Sequence, residues 1–147
     1  MESDAANDHL SGDRGVSFLL DTDIVSAYLK NHPSVVRRVI MHYGSLSVST
    51  VTAGELLAWA GRVNAPPSRL QGILDFLSAC HVLDVNYPVA EIFGRIRAQL
   101  LDQGRPIGVP DLLNASVALT HNLTIVTHNI ADYRDVPGIT IIDWNAP

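Results

Sequence analysis

Short apolar, largely β-branched runs alternate along this chain with longer segments of helical period, and that alternation narrows the fold more than any other feature. Phe18-Leu19-Leu20, Leu46-Ser47-Val48, His81 to Val85, Leu123 to Thr127 and Ile139 to Ile142 read as strands. Between them, Ile24, Val25, Tyr28 and Leu29 recur at helical spacing, and a second helix covers Ser34 to Tyr43, ending at Gly44. A third runs from Val51 to Trp59 and stops near Gly61. After Pro66-Pro67, Leu70, Ile73, Leu74 and Leu77 mark one side of a helix that reaches Ala79. Val89 to Gln103 is the longest helix, with Ile92, Phe93, Ile96 and Leu100 as its stripe, and Pro110 introduces another over Leu112 to Thr120. Strands separated by helices cannot pair as hairpins. They form a parallel sheet whose crossovers cover both faces, so the expected class is α/β with about five short strands flanked by helices on both sides.

A chain of 147 residues sets an expectation of one domain and can bury a core without disulfides. Residues 1–15 are polar, acidic and without apolar period, which predicts a flexible tail, leaving 16–147 as the folded domain. No apolar run approaches the ~20 residues of a membrane span. Nothing resembles a secretory leader, and the lone Cys80 suits a reducing compartment, so a cytoplasmic protein is expected. Ten basic residues against fifteen acidic ones give a net charge of −5. Four acids against Arg14 in the first fourteen residues account for −3 of it, and nine of the ten basic residues are arginines, the type suited to gripping phosphate. Composition leaves a nucleic-acid partner open without proposing one.

Acidic residues recur where strands give way to helices. Asp21 and Asp23 follow the first strand, Glu55 the second, Asp111 opens a late helix, and Asn129 and Asp132 follow Leu123 to Thr127. In a parallel sheet those junctions share one edge, so residues far apart in sequence converge there. Carboxylates within ~4–6 Å raise one another's pKa and call for a positive charge. Magnesium or manganese, which prefer oxygen ligands, are the natural occupants, and the arrangement suits metal-assisted phosphodiester hydrolysis. Each acid also has a structural explanation. Asp21 or Asp23 can cap the first helix, and Thr52 to Glu55 fits a capping box with Thr52 as N-cap. Asp111 is favourable in a first helical turn, and Asn129 can cap a short one.

The run Leu20-Asp21-Thr22-Asp23-Ile24-Val25-Ser26 resembles the opening of PIN-domain ribonucleases, specifically the VapC toxins of bacterial toxin–antitoxin pairs. Ser49 to Leu56, Gly104 to Asp111 with Ala115, Val126 to Tyr133, and Val136-Pro137-Gly138 followed by Asp143-Trp144 resemble the family's later motifs, in order. The third block and the ending also resemble the branch that cleaves initiator tRNA. The resemblance implies a PIN-like fold and a magnesium-dependent endoribonuclease, manganese being the alternative metal, acting on RNA. It implies a VapB-type antitoxin partner and a homodimer. Carried over by position, Asp21, Glu55, Asp111 and Asn129 are the catalytic set, with Asp21 and Asp111 as metal ligands. Asp23, Thr127 and Asp132 support them. The departure is Asn129, where many PIN domains have aspartate; Asp132 follows three residues later and could fill that position.

Two other readings start from the same residues. Asp21-Thr22-Asp23-Ile24-Val25 matches the D-x-D-x-[TV] motif of haloacid-dehalogenase-like phosphatases, but Lys30 is the only lysine and no Asp-Asp pair follows. A catalytically weak protein-binding module is the second. His128 reads as a strand-end residue, Trp59 as packing, and Arg95, Arg97 and Arg105 as solvated charges that could also meet RNA phosphate.

Overall fold

The computed structural model describes residues 17–146, so the acidic tail expected over 1–15 lies outside the described residues. The chain runs β1 (Phe18–Leu20), α1 (Thr22–Leu29), α2 (Pro33–Met41), β2 (Leu46–Ser49), α3 (Thr50–Ala60), α4 (Pro67–Ser78), β3 (His81–Leu83), α5 (Tyr87–Asp102), α6 (Val109–His121), β4 (Thr124–Val126), a single 3₁₀ turn (Ile130–Asp132) and β5 (Ile141–Ile142). The strands form one sheet in the order β3-β2-β1-β4-β5, every pairing parallel. This is the α/β class read from the sequence.

Pleating divides the core in two. Phe18 and Leu20 of β1 join Leu46, Val48 and Val126 on one face, covered by Ile24 and Val25 of α1, Val35 and Val39 of α2, Leu56 of α3, and Ile73 and Phe76 of α4. Leu19 and Ile125 point to the other face, against Val89, Ile96 and Leu100 of α5 and Leu112, Ala115 and Ala118 of α6. Successive side chains of a strand face opposite ways, so strands this short can sit in two cores at once.

Several boundaries differ from the sequence reading for local reasons. The helix expected from Val89 begins at Tyr87, because the Asn86 side chain caps it by accepting from Val89 N at 3.2 Å and Pro88 fits the first turn. The capping box assigned to Thr52 is not formed. Ser49 is the N-cap of α3, accepting from Thr52 N at 3.1 Å, while Thr52 is buried inside the first turn. Both residues are good N-caps, and the end of the β2 ladder decides between them. The last strand is two residues long rather than four.

Beyond it the chain is anchored by Trp144. This side chain is buried, lies edge-on to Phe18 at 4.9 Å and stacks on His42 at 5.3 Å. Its carbonyl accepts from the Ser34 hydroxyl at 3.0 Å.

The chain leaves β1 toward β2 on one side, and β4 pairs on the other. Between β1 and β4, then, the order of connection reverses, which makes the carboxyl ends of these two strands the switch point of the sheet. Leu20 lies opposite Val126, so Asp21 and Thr127 emerge side by side there.

Candidate active site

Asp21 ends β1 and caps α1, and its carboxylate receives four hydrogen bonds from four parts of the chain. Oδ1 accepts from Thr22 N at 2.8 Å and from Asn114 Nδ2 of α6 at 3.3 Å. Oδ2 accepts from the Thr127 hydroxyl and from the Tyr133 phenol, both at 3.0 Å. So many donors fix the carboxylate in one orientation.

Tyr133 also reaches Asp111, whose Oδ1 lies 3.3 Å from the phenol oxygen. Asp111 sits in the first turn of α6, where Pro110 sets the backbone and the helix N-terminus favours negative charge. One phenol thus joins two carboxylates ninety residues apart in sequence. Burial raises the Asp111 pKa from 3.8 to about 6, helped by the charges of Asp21, Asp132 and Glu55. A phenol has one hydrogen and cannot donate fully to both acids. Its hydrogen is shared between the two, and Asp21 Oδ2 lies at the shorter distance. Burial and the same carboxylates push the phenol far up, so it remains a donor.

Glu55, exposed on the second turn of α3, accepts from the Thr22 hydroxyl through Oε1 at 2.5 Å. That bond leaves Oε2 without a hydrogen-bond partner among the described residues. Asp23 does not cap α1. Its Oδ2 accepts from His128 N at 3.0 Å and Asn129 Nδ2 at 3.2 Å, fastening the loop after β4 to α1. Its Oδ1 is buried without a hydrogen-bond partner, and burial beside Asp21 raises its pKa to about 6. Asn129 therefore commits its amide to Asp23, while its backbone N–H donates to the Thr127 hydroxyl at 3.0 Å. Asp132 contributes through its charge, one of those that raise Asp111.

The structure brings Asp21, Asp111, Glu55 and the field of Asp132 to one edge, and it places Asn129 one hydrogen bond further out. Among the described residues, no lysine or arginine pairs with any of these acids. Nor does any group of three His, Cys, Asp or Glu side chains stand close enough together to enclose a metal ion. The oxygens joined through Tyr133 are a pair rather than a cage.

Sequence reasoning missed Tyr133 and Asn114. Asn114 is buried and accepts from the Ser49 hydroxyl at 2.5 Å, while its amide reaches Asp21 and, at 3.4 Å, Thr52. The available signal was an amide inside an otherwise apolar face of α6, flanked by Leu112, Leu113, Ala115 and Val117. Tyr133 gave none, since an aromatic beside a turn usually packs. The remaining candidates lie elsewhere. The His128 ring pairs with Asp143 at 3.1 Å, Arg105 with Asp135 at 3.6 Å, and burial raises the Cys80 thiol to about 11, away from nucleophilic chemistry. Lys30 lies over the Trp59 ring at 5.5 Å, at the far end of α1 from Asp21, so the cation that phosphoaspartate chemistry needs is absent from this edge.

The profile of the PIN domain family matches residues 18–138. The chain is 37% identical over 131 residues to the tRNA(fMet)-specific endonuclease VapC of Shigella flexneri, covering 88% of this chain and 99% of that protein. It is 32% identical to Ribonuclease VapC2 of Haemophilus influenzae, with 88% and 98% covered. Among solved structures, DNA-bound VapBC from Salmonella typhimurium superposes with a TM-score of 0.82 at 33% identity, covering 88% of this chain and 98% of that one. VapBC2 from Rickettsia felis, bound to a promoter DNA fragment, gives 0.81 at 25% identity, with 88% and 99% covered.

Proposed function

The chain belongs to the PIN-domain family as a VapC-type ribonuclease of a toxin–antitoxin system, and from that membership we propose that it is a magnesium-dependent endoribonuclease cutting phosphodiester bonds in RNA, with tRNA as the substrate class. The observation that carries the site assignment is the convergence of Asp21 and Asp111 on one buried phenol at the sheet's switch point.

The donor set fits magnesium. It is all oxygen, its negative charge has no basic partner among the described residues, and burial lifts the Asp111 pKa as expected of a carboxylate awaiting a cation. Magnesium keeps several of its waters and commonly takes only one or two carboxylates, so Asp21 and Asp111 suffice as direct ligands. When bound, it lowers the pKa of a water and offsets the charge that develops on the attacked phosphate. The chain's own residues prepare that event. Thr127, Asn114 and Tyr133 hold Asp21 still, and Tyr133 keeps Asp111 beside it. Glu55, fixed through Oε1 by Thr22, offers Oε2 as the acceptor for a hydrogen of the attacking water. Asp132 supplies the fourth negative charge, and Asn129, through Asp23, sets the loop that carries it.

The partner reading is a cognate VapB-type antitoxin and a homodimer. It is supported by the solved relatives, which are VapBC complexes, and by the exposed apolar Ile40, Met41 and Tyr43 at the end of α2. No helix of the described residues is long and apolar enough to cross a membrane, and an RNA substrate places the reaction in the cytoplasm.

Incubating purified protein with end-labelled tRNA and with a small phosphate monoester, each with magnesium and with a chelator, tests the proposal. Magnesium-dependent cuts in tRNA and no phosphate release are expected. Phosphate release without RNA cutting would replace the nuclease by a phosphatase.

A further inference from the structure

Helices α1 and α3 lie side by side, and their two ends carry opposite charge. At the acidic edge they meet through Thr22 and Glu55. At the other end, about 12 Å away for a helix of eight residues, they meet through Lys30 and Trp59. Arg69 of α4 lies over the same indole at 4.2 Å and is held there by an Nη1 bond to the Trp59 carbonyl at 3.2 Å. Neither cation has a carboxylate partner among the described residues. Two cavities border them. One, of about 540 Å³, runs along α1 from Asp23 to Lys30. The other, of about 270 Å³, continues from Lys30 past Trp59 to Ser68 and Arg69. Lys30 lines both, so the two cavities flank it on either side.

We infer that Lys30, Arg69 and the indole between them form a phosphate-gripping subsite for single-stranded RNA, holding the strand next to the bond cut at Asp21 and Asp111. This rests on the ribonuclease reading above. Arg69 spends one N–H on Trp59 and keeps the rest of its fork for phosphate oxygens, and Lys30 has three donors on a flexible stem. The ring restrains both cations and offers an apolar floor for ribose or base. On a chain of net charge −5, two cations on one indole without a carboxylate partner among the described residues are a local exception. An acidic protein segment would satisfy the cations but leave the indole without a stacking partner. An RNA strand offers phosphates to both cations and a base or ribose to the ring between them.

The test is fluorescence anisotropy of a labelled single-stranded oligoribonucleotide with the full chain, in chelator so that nothing is cut, at 50 and 200 mM salt. Each phosphate contact to a single strand adds about 0.7 to the slope of log affinity against log salt. Over this fourfold range Lys30→Gln should therefore lose about 2.6-fold less affinity than the unmodified chain. Arg69→Gln should do the same, and the double variant should show roughly twice the slope change. Arg95→Gln on α5, across the sheet, is the matched control and should behave as the unmodified chain. Melting temperatures of the variants separate lost binding from lost folding, and Lys30→Gln carries the test if Arg69→Gln unfolds, since Lys30 makes no side-chain hydrogen bond among the described residues. Unaltered slopes in Lys30→Gln, with magnesium-dependent RNA cutting intact, overturn this inference alone. Absence of both RNA binding and RNA cutting in the unmodified chain overturns the nuclease reading with it. Unchanged RNA binding together with lost capture of a co-expressed antitoxin by Lys30→Gln would assign the subsite to a protein partner instead.

Discussion

Tyr133 and Asp111 share a contact whose chemistry depends on a single proton. Replacing Tyr133 by Phe keeps the buried ring and removes the donor that restrains both carboxylates. Because the phenol's hydrogen bond lowers the Asp111 pKa, Tyr133→Phe should move it above its present value of about 6, visible in carboxyl-carbon NMR titration of metal-free protein. The loss of a buried hydrogen bond to charged groups should cost about 1–3 kcal/mol of stability. A Tyr133→Phe variant with an unmoved Asp111 titration would show that the phenol does not couple the two acids.

Asp111 and Asp23 also set the pH dependence of the metal-free fold. Both have folded-state pKa values raised from 3.8 to about 6. Between those values the folded chain binds more protons than the unfolded one, so their contribution to stability grows as pH falls through 6 toward 4 and is lost above 6. The melting temperature of chelated protein should rise on acidification from neutrality to about pH 5. Asp111→Asn should flatten that rise and magnesium should oppose it, because a bound cation replaces the proton. A melting temperature that falls steadily over this range, in the original chain and in Asp111→Asn alike, would contradict the assignment.

At the scale of elements, the start of α3 ties the scaffold to the site. Ser49 closes the β2 ladder, caps the helix and donates to Asn114, which in turn donates to Asp21. Ser49→Ala should destabilise the protein by about 1–2 kcal/mol, as loss of an N-cap does, read as a lower urea midpoint at unchanged slope. A midpoint unaffected by the change would show the cap to be dispensable.

The elements themselves were legible in sequence, because apolar runs bounded by turn residues and stripes at helical spacing survive in one dimension. Boundaries were less so: Ser49 and Thr52 compete for one cap, and only the length of the strand ladder chooses between them. The acids at the junctions were legible because parallel topology gathers strand ends at one edge. Their tethers were not. Tyr133 meets Asp21 across 112 residues and Asn114 meets it across 93, and no local period encodes such contacts. Lys30, set aside when no phosphatase partner emerged, owes its position to the packing of α1 on α3.

Over the whole molecule, the last strand and Trp144 close the sheet against Phe18 and His42, at the edge opposite β3. Trp144→Ala removes a fully buried indole and should cost about 3–5 kcal/mol, lowering the melting temperature steeply. The effect on cleavage should follow only from the fraction unfolded, because Trp144 touches none of the acids. The central claim is that the acidic cluster at the switch point, rather than any other part of the fold, performs the chemistry. Asp111→Asn tests it most directly, since it preserves shape while removing one charge from the site. Magnesium-dependent tRNA cleavage by Asp111→Asn, compared with the original chain at equal folded concentration, should fall by about two orders of magnitude, the scale of losing one group that stabilises transition-state charge. Folded Asp111→Asn that cuts tRNA at the original rate would contradict the account.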